Sequence, residues 1–401
     1  MKICIIGGGT TGWWAAGYIE HNFPDYDITL IESSDIPIVG VGESTLPMIK
    51  TFFDSFGMQE ESWMPKCDAI HKHGNIKQGW DKPDGEEFKF TFWFNDDNVF
   101  EDWYKKYKAG EVTKHQINDE LYDAKGWRAV AYHLHAEDAG RIVKENCKNV
   151  KHIVQTLDER PEGYDLYIDC TGFRRQFVND KTEVKVHDKH LVNSAWVCPF
   201  ELDEQIPYTR SIARDYGWQF KIGLTSRIGT GYVYSDKHLK DEDALESFKD
   251  YTKDLTPWMD KKPRNIKWNP NWLKNPWSGN TVAIGLSQGF IDPLESNALF
   301  MIQFSITSLV ECLKRDYSSK TYNRMVNRVW QENSDYILHH YGLSNRDDTS
   351  FWKEYTDMDM SKTVWEHYKK TGNKYTNLYP NAIWATLALY YDDFKEYDGT
   401  S

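Results

Sequence analysis

Paired cysteines are missing from this chain. Its six cysteines (Cys4, Cys67, Cys147, Cys170, Cys198 and Cys312) are scattered, with no CxxC and no His/Cys ladder at ligand spacing. That argues against a structural zinc site and against a disulfide framework. Cys4 and Cys170 lie in apolar, strand-like runs, where a thiol behaves as a small buried hydrophobe. A reducing, cytoplasmic setting is expected. Positive charge is also short: 48 Lys+Arg against 61 Asp+Glu leave a net charge of −13. So acidic a chain repels phosphate backbones and anionic lipid surfaces, so neither nucleic acid nor a membrane is expected as a partner. No apolar run reads as long enough to span a bilayer. The run Ile3 to Ile6 ends at a triple glycine and is too short for a secretory signal core. Repeats and low-complexity linkers are missing too. His133-Leu134-His135 puts two imidazoles on one strand face, yet no third ligand accompanies them, so no metal is expected.

Aromatic residues are plentiful instead. The 401 residues include 17 Trp and 24 Tyr, rings that suit both a large core and an aromatic-lined pocket. A chain of this length supports two closely packed domains. Phe88, Phe90, Phe92 and Phe94 alternate around Trp93, the pattern of a strand with one aromatic face.

The first fifty residues carry the sharpest signal. Lys2 to Ile6 reads as a short buried strand and runs into Gly7-Gly8-Gly9-Thr10-Thr11-Gly12, followed by a helical stretch from Trp13. Gly7, Gly9 and Gly12 fit G-x-G-x-x-G spacing. The first makes a tight turn, the second admits a pyrophosphate, and the third lets helix and strand pack closely. Thr10 and Thr11 lie where the helix N-terminus offers free N–H groups to phosphate. A second strand, Tyr26 to Ile31, ends in Glu32, twenty residues after Gly12. A carboxylate there suits an adenosine ribose. A glycine-rich turn that binds nothing would not need this full order of strand, turn, helix, strand and acid, so a dinucleotide site is expected.

Two later segments also read as apolar strands running into glycine: Gly163 to Phe173, which passes through Thr171-Gly172, and Gly279 to Gly285. Three such crossings, spread over the chain, indicate a nucleotide domain interrupted by long insertions. That favours FAD over a compact NAD domain. The expected fold is α/β: a Rossmann-like FAD-binding domain from residues 1–60, 130–190 and 265–325. Residues 61–129, 191–264 and 326–401 would form an inserted and C-terminal substrate-binding region.

Several segments resemble the tryptophan-halogenase-like branch of the flavin-dependent halogenases. They are Gly7 to Trp13, Gly40-Val41-Gly42-Glu43-Ser44-Thr45-Leu46-Pro47, Gly285 to Ser296 with its Pro293-Leu294-Glu295-Ser296, and the late run His340-Tyr341-Gly342-Leu343 with Arg346 to Trp352. The resemblance covers most of the chain and weakens over its last fifty residues. It adds Gly42, Glu43, Ser44, Thr171, Gly172, Gly285, Pro293 and Leu294 to the residues expected around FAD. It implies that reduced FAD, oxygen and halide yield hypohalous acid, which reaches a separate aromatic substrate pocket. There a lysine directs the oxidant and a glutamate supports electrophilic substitution. Lys77, in an apparent strand, and Glu295 are the expected pair, with Lys72 close enough to compete if the register slips. A lysine in a mixed strand is more often solvated, and an acid before a helix more often serves the helix dipole. The matching flanks favour chemistry. The resemblance also implies halide near Ser296, Asn297 and Ala298. No second nucleotide fingerprint is present, so the reduced FAD is expected from a separate flavin reductase.

Three departures narrow the expectation. The family's W-x-W-x-I-P stands here as Trp218-Gln219-Phe220-Lys221-Ile222-Gly223, which keeps the ring but frees the backbone that Pro would fix. Asn297-Ala298 replaces a common Thr-Gly in the halide turn, so bromide or iodide is expected to be preferred to chloride. Trp365, Tyr368, Tyr375, Tyr379, Trp384, Tyr390 and Tyr391 do not map onto tryptophan contacts, so an electron-rich indole or phenol is the expected substrate class. An FAD-dependent aromatic hydroxylase shares this layout, and a non-catalytic flavin-binding redox protein is the remaining alternative.

Overall fold

Ile3, Cys4, Ile5 and Ile6 are buried on both faces of their strand, the environment of a central parallel strand. The structure is a computed structural model that describes residues 1–35, 42–91, 105–106, 109–112, 131–202 and 204–363. Gly40, Val41, Phe92, Trp93, Phe94 and the C-terminal aromatics from Trp365 onward lie outside those residues. Strand Lys2–Ile6 pairs in parallel with Asp27–Glu32 and Leu166–Asp169. The full sheet runs Trp277–Ser278, Thr281–Ala283, Leu166–Asp169, Lys2–Ile6, Asp27–Glu32, Val150–Val154, parallel except at its Trp277 edge.

Helix Thr10–Asn22 and helix Ala136–Asn146 lie against each other. Small residues make this possible: a Cβ on Gly140 would stand 2.9 Å from the Thr10 Cα, and one on Gly17 would stand 2.4 Å from a Val143 methyl. The second helix stops at Asn146 because the chain turns extended at Cys147 to enter strand Val150–Val154.

The second layer is a seven-stranded, mainly antiparallel sheet. Its order is Arg264–Lys267, Ser194–Glu201, Arg227–Tyr234, Gly217–Gly223, Tyr208–Arg214, Gly74–Gln78, Phe88–Thr91. Glu43–Ser44, Ala131–Leu134 and Ile70–Lys72 form a small antiparallel sheet. Trp14, Trp63, Trp80, Trp218, Trp272 and Trp352 are fully buried or nearly so, so core packing accounts for much of the aromatic excess.

The run Leu294–Lys314 is, contrary to expectation, long and apolar enough by length and composition to cross a membrane. Two left-handed residues, Glu295 (φ 64°) and Ser296 (φ 62°), break it. The helix that follows, Asn297–Lys314, buries Leu299, Phe300, Met301, Ile306 and Leu309 in the core.

Candidate active site

The carboxyl ends of the parallel strands open into one cleft of about 550 Å³, within the usual size of a cofactor pocket and at the usual place in such a sheet. Gly7, Gly9, Thr10, Thr11, Glu32, Glu43, Thr171 and Gly172 line it, joined by Ala298. Gly7 adopts φ 114°, and a Cβ there would stand 2.3 Å from the Cys170 carbonyl oxygen. Gly12 packs against the Gly7 carbonyl, where a Cβ would come within 1.8 Å. At Gly9 a Cβ would meet nothing within 4 Å, so the missing side chain serves the cleft rather than the packing. Gly9 also precedes the N-terminus of helix Thr10–Asn22, so open space and unpaired N–H groups coincide where a pyrophosphate would bind. The residues present fit a dinucleotide such as FAD.

Glu32 reaches this cleft from its strand end and pairs with Lys144 at 3.2 Å and His152 at 2.5 Å. Burial pushes the carboxyl of Glu43 up to about 7. Asp169, which the sequence reading passed over, fixes the second crossing. Its Oδ1 accepts from the Thr171 N–H at 2.8 Å and from the hydroxyls of Thr171 and Ser287 at 2.7 and 2.9 Å. An acid at the end of an apolar strand, just before Thr-Gly, was the available signal. Gln155, Thr156 and Arg174 also line the cleft. The first two follow strand Val150–Val154, whose weak apolar alternation gives little signal in the sequence.

Other expected cofactor residues stand behind the cleft wall. A Gly285 Cβ would crowd the Thr11 hydroxyl at 2.6 Å, and Gly42 (φ 100°) faces Leu224. Leu294 is fully buried, and Pro293 precedes the short turn Leu294–Ser296. Ser44 bonds to Ser296 and Thr209. Of the expected halide residues, only Ala298 lines the cleft. Asn297 is buried and donates to the Leu294 carbonyl at 3.3 Å.

Behind Ala298, the left-handed pair Glu295–Ser296 sends its two side chains to different partners. Glu295 meets the strand Gly74–Gln78. Asn75 and Lys77, two apart and thus on one face, hold its two oxygens: Asn75 donates to Oε2 at 2.9 Å, and Lys77 ion-pairs with Oε1. His340 Nε2 stands 3.5 Å from that same oxygen. Lys77 is fully buried and lies 4.9 Å from the centre of the Trp80 ring. Trp218, Phe90 and His340 pack around these groups at ring separations near 6 Å. The first Trp of the Trp218-Gln219-Phe220 segment therefore belongs to the wall of this enclosure.

Ser296 meets the other lysine. Lys72 donates to the Ser296 hydroxyl at 3.0 Å and to the Thr45 carbonyl at 3.2 Å. Burial pushes the Lys72 ammonium down to about 7; Lys77 adds to the fall and Glu295 opposes it. Lys77 is likewise lowered by burial, but the charge of Glu295 and its hydrogen bond work against that. His340 falls well below the ordinary imidazole value through burial, then through Lys77 and His339, and so stands neutral. Asp292 rises to about 6 by burial, although it accepts a 2.6 Å bond from the Tyr341 hydroxyl. The arrangement offers an anchored carboxylate, a lysine poised near neutrality and an aromatic enclosure beside a dinucleotide cleft. That combination suits the steering of an electrophile onto an aromatic ring.

The family model described as tryptophan halogenase matches residues 2–130 and 134–389. Tryptophan 6-halogenase SttH of Streptomyces toxytricini is 30% identical over 422 residues, covering 88% of this chain and 80% of that protein. Tryptophan 7-halogenase RebH of Lentzea aerocolonigenes is 28% identical over 460 residues, covering 98% and 86%. Among solved structures, SttH superposes with a TM-score of 0.85 at 26% identity, over 97% of this chain and 90% of that one. Xcc4156, a flavin-dependent halogenase from Xanthomonas campestris, gives a TM-score of 0.85 at 24% identity, over 97% and 88%.

Proposed function

The chain belongs to the tryptophan halogenase family, and from that premise we propose that it is an FAD-dependent halogenase acting on an electron-rich indole or phenol. One observation carries the reading. A single turn, Glu295–Ser296, joins the FAD cleft at Ala298 to a buried carboxylate and two buried lysines. Reduced FAD, when bound, supplies with oxygen the two-electron oxidation that converts halide to hypohalous acid. Gly7, Gly9 and the N-terminus of helix Thr10–Asn22 would hold its pyrophosphate, and Glu32 its ribose. A separate flavin reductase would deliver it in reduced form.

The protein's own residues then direct the oxidant. Lys77 was the lysine indicated by the sequence, but two observations favour Lys72 for this duty. Lys72 contacts Ser296 in the expected halide turn, whereas Lys77 is committed to Glu295. Lys72 also has its ammonium near neutrality, so a free amine is available at working pH. Lys77 and Asn75 keep Glu295 ionised and oriented. Its charge can stabilise the cationic ring intermediate and then accept the proton that leaves. The aromatic enclosure excludes water, which would otherwise consume or dilute the oxidant.

The test is product formation with reduced FAD, oxygen, halide and a panel of indoles and phenols, comparing wild type with Lys72→Ala, Lys77→Ala and Glu295→Gln. Halogenated product is expected from wild type, with Lys72→Ala and Glu295→Gln reduced at least a hundredfold. A product carrying one added oxygen and no halogen would instead establish an aromatic hydroxylase.

A further inference from the structure

Lys72 does not stop at Ser296. Ser296 Oγ donates to Ser44 Oγ at 2.8 Å, Ser44 Oγ meets Thr209 Oγ1 at 2.8 Å, and Thr209 Oγ1 meets His133 Nε2 at 2.8 Å. The other ring nitrogen, Nδ1, lies 3.0 Å from the Gly223 carbonyl oxygen. Lys72, Ser44, Thr209 and His133 are all buried. Four separate strands and one turn supply this row of contacts, so it is a feature of the tertiary fold and not of any local motif.

The chemistry of its two ends fixes its direction. A carbonyl oxygen only accepts, so Nδ1 must carry the proton and Nε2 must be an acceptor. Thr209 then donates to His133, Ser44 to Thr209, and Ser296 to Ser44. Every hydroxyl hydrogen points away from Lys72, and Ser296 is left presenting lone pairs to Nζ. We propose that His133 is a positioning residue for halogenation: through Thr209, Ser44 and Ser296 it holds the Lys72 nitrogen at the halide turn. The inference rests on the assignment of Lys72 made above.

A proton wire is the competing use of such a row, and the magnitudes disfavour it. Burial, helped by the charge of Lys72, drives His133 down to about 3, while Lys72 lies at about 7. A proton passed from Lys72 to His133 would therefore populate the imidazolium in only about one molecule in ten thousand, given tenfold per unit. His133 stays neutral, and its part is to orient. The Gly223 carbonyl completes that orientation, so the segment Trp218 to Gly223 reaches the site through its backbone.

The substitutions that isolate this role are Thr209→Val, which removes one hydroxyl at nearly constant volume, and His133→Phe. Thr209→Ser and His133→Gln keep an oxygen acceptor or donor where the row needs one. Full-length protein would be supplied with reduced FAD, oxygen, catalase, bromide and indole, with taurine added to trap hypobromous acid that escapes. The readout is the ratio of brominated indole to N-bromotaurine, alongside FAD affinity and melting temperature. Thr209→Val and His133→Phe are expected to lower the ratio about tenfold with FAD affinity kept, and Thr209→Ser to recover it to within about threefold of wild type. If His133→Phe does not fold, the Thr209 pair decides alone. A wild-type ratio in Thr209→Val, with Lys72→Ala inactive, overturns the role of His133 and leaves that of Lys72 standing. A wild-type ratio in Lys72→Ala overturns both.

Discussion

At the scale of single residues, the site places a titratable amine where the fold penalises its charge. Lys72 falls from 10.5 to about 7 through burial, a penalty on the protonated form on the order of 5 kcal/mol at 1.36 kcal/mol per unit. Between pH 7 and 10.5 the unfolded chain holds this proton and the folded chain does not. Stability contributed by the group therefore rises with pH across that window and is lowest below pH 7. Lys72→Met should accordingly melt higher than wild type at pH 7, by the equivalent of about 2 kcal/mol after the bonds to Ser296 and Thr45 are lost. That advantage should shrink toward pH 10. Thermal melts at the two pH values check it, and a variant that melts lower at pH 7 would refute the burial argument. Glu295→Gln is expected to keep FAD affinity while product formation falls at least a hundredfold, as measured by flavin fluorescence titration and mass spectrometry. Lys77→Ala should behave differently from both. It leaves Glu295 buried without its cation, so it is expected to cost about 3 kcal/mol of stability as well as activity.

At the scale of elements, the glycine turn separates binding from folding. Gly9→Ala adds a methyl group to open space in the cleft, at a residue whose extended backbone (φ −72°) accepts any side chain. Its melting temperature should match wild type, and its FAD affinity should drop at least tenfold in a fluorescence titration. Gly12→Ala must push against the Gly7 carbonyl and should lose stability first. Unchanged FAD affinity in Gly9→Ala would place the pyrophosphate elsewhere. These turns were legible in the sequence because glycine spacing and buried strands are local signals. Strand Val150–Val154 leaves little trace in the sequence, because a half-exposed edge strand carrying Lys151 and His152 shows little apolar alternation. The choice between Lys72 and Lys77 was harder still. They lie on consecutive strands, and the break at His73, whose N–H donates to the Pro207 carbonyl at 2.7 Å, decides which one meets Ser296. A sequence shows neither that break nor its distant partner.

At the scale of the whole molecule, the two large sheets divide the work. The parallel sheet opens the FAD cleft, and the mainly antiparallel one presents Asn75, Lys77 and Trp218 to the turn Glu295–Ser296. The fold class was readable from three strand-to-glycine crossings. The row from Lys72 to His133 was not, because its members come from positions 44, 72, 133, 209 and 296, and only folding makes them neighbours. The halide turn proposed at Ser296, Asn297 and Ala298 predicts that bromide or iodide outcompetes chloride. Product ratios from equimolar mixtures test this, and equal incorporation of all three would remove the idea.

The central claim is halogenation directed by Lys72 and Glu295, and its most direct test is a mass-spectrometric assay of the purified chain. The reaction would contain reduced FAD, oxygen, catalase, a panel of indoles and phenols, and chloride, bromide or iodide supplied separately. A halogenated ring formed by wild type, and lost in both Lys72→Ala and Glu295→Gln while FAD still binds, is the predicted result. Halogenation that persists in both variants, or a hydroxylated product with no halogen, would contradict the account.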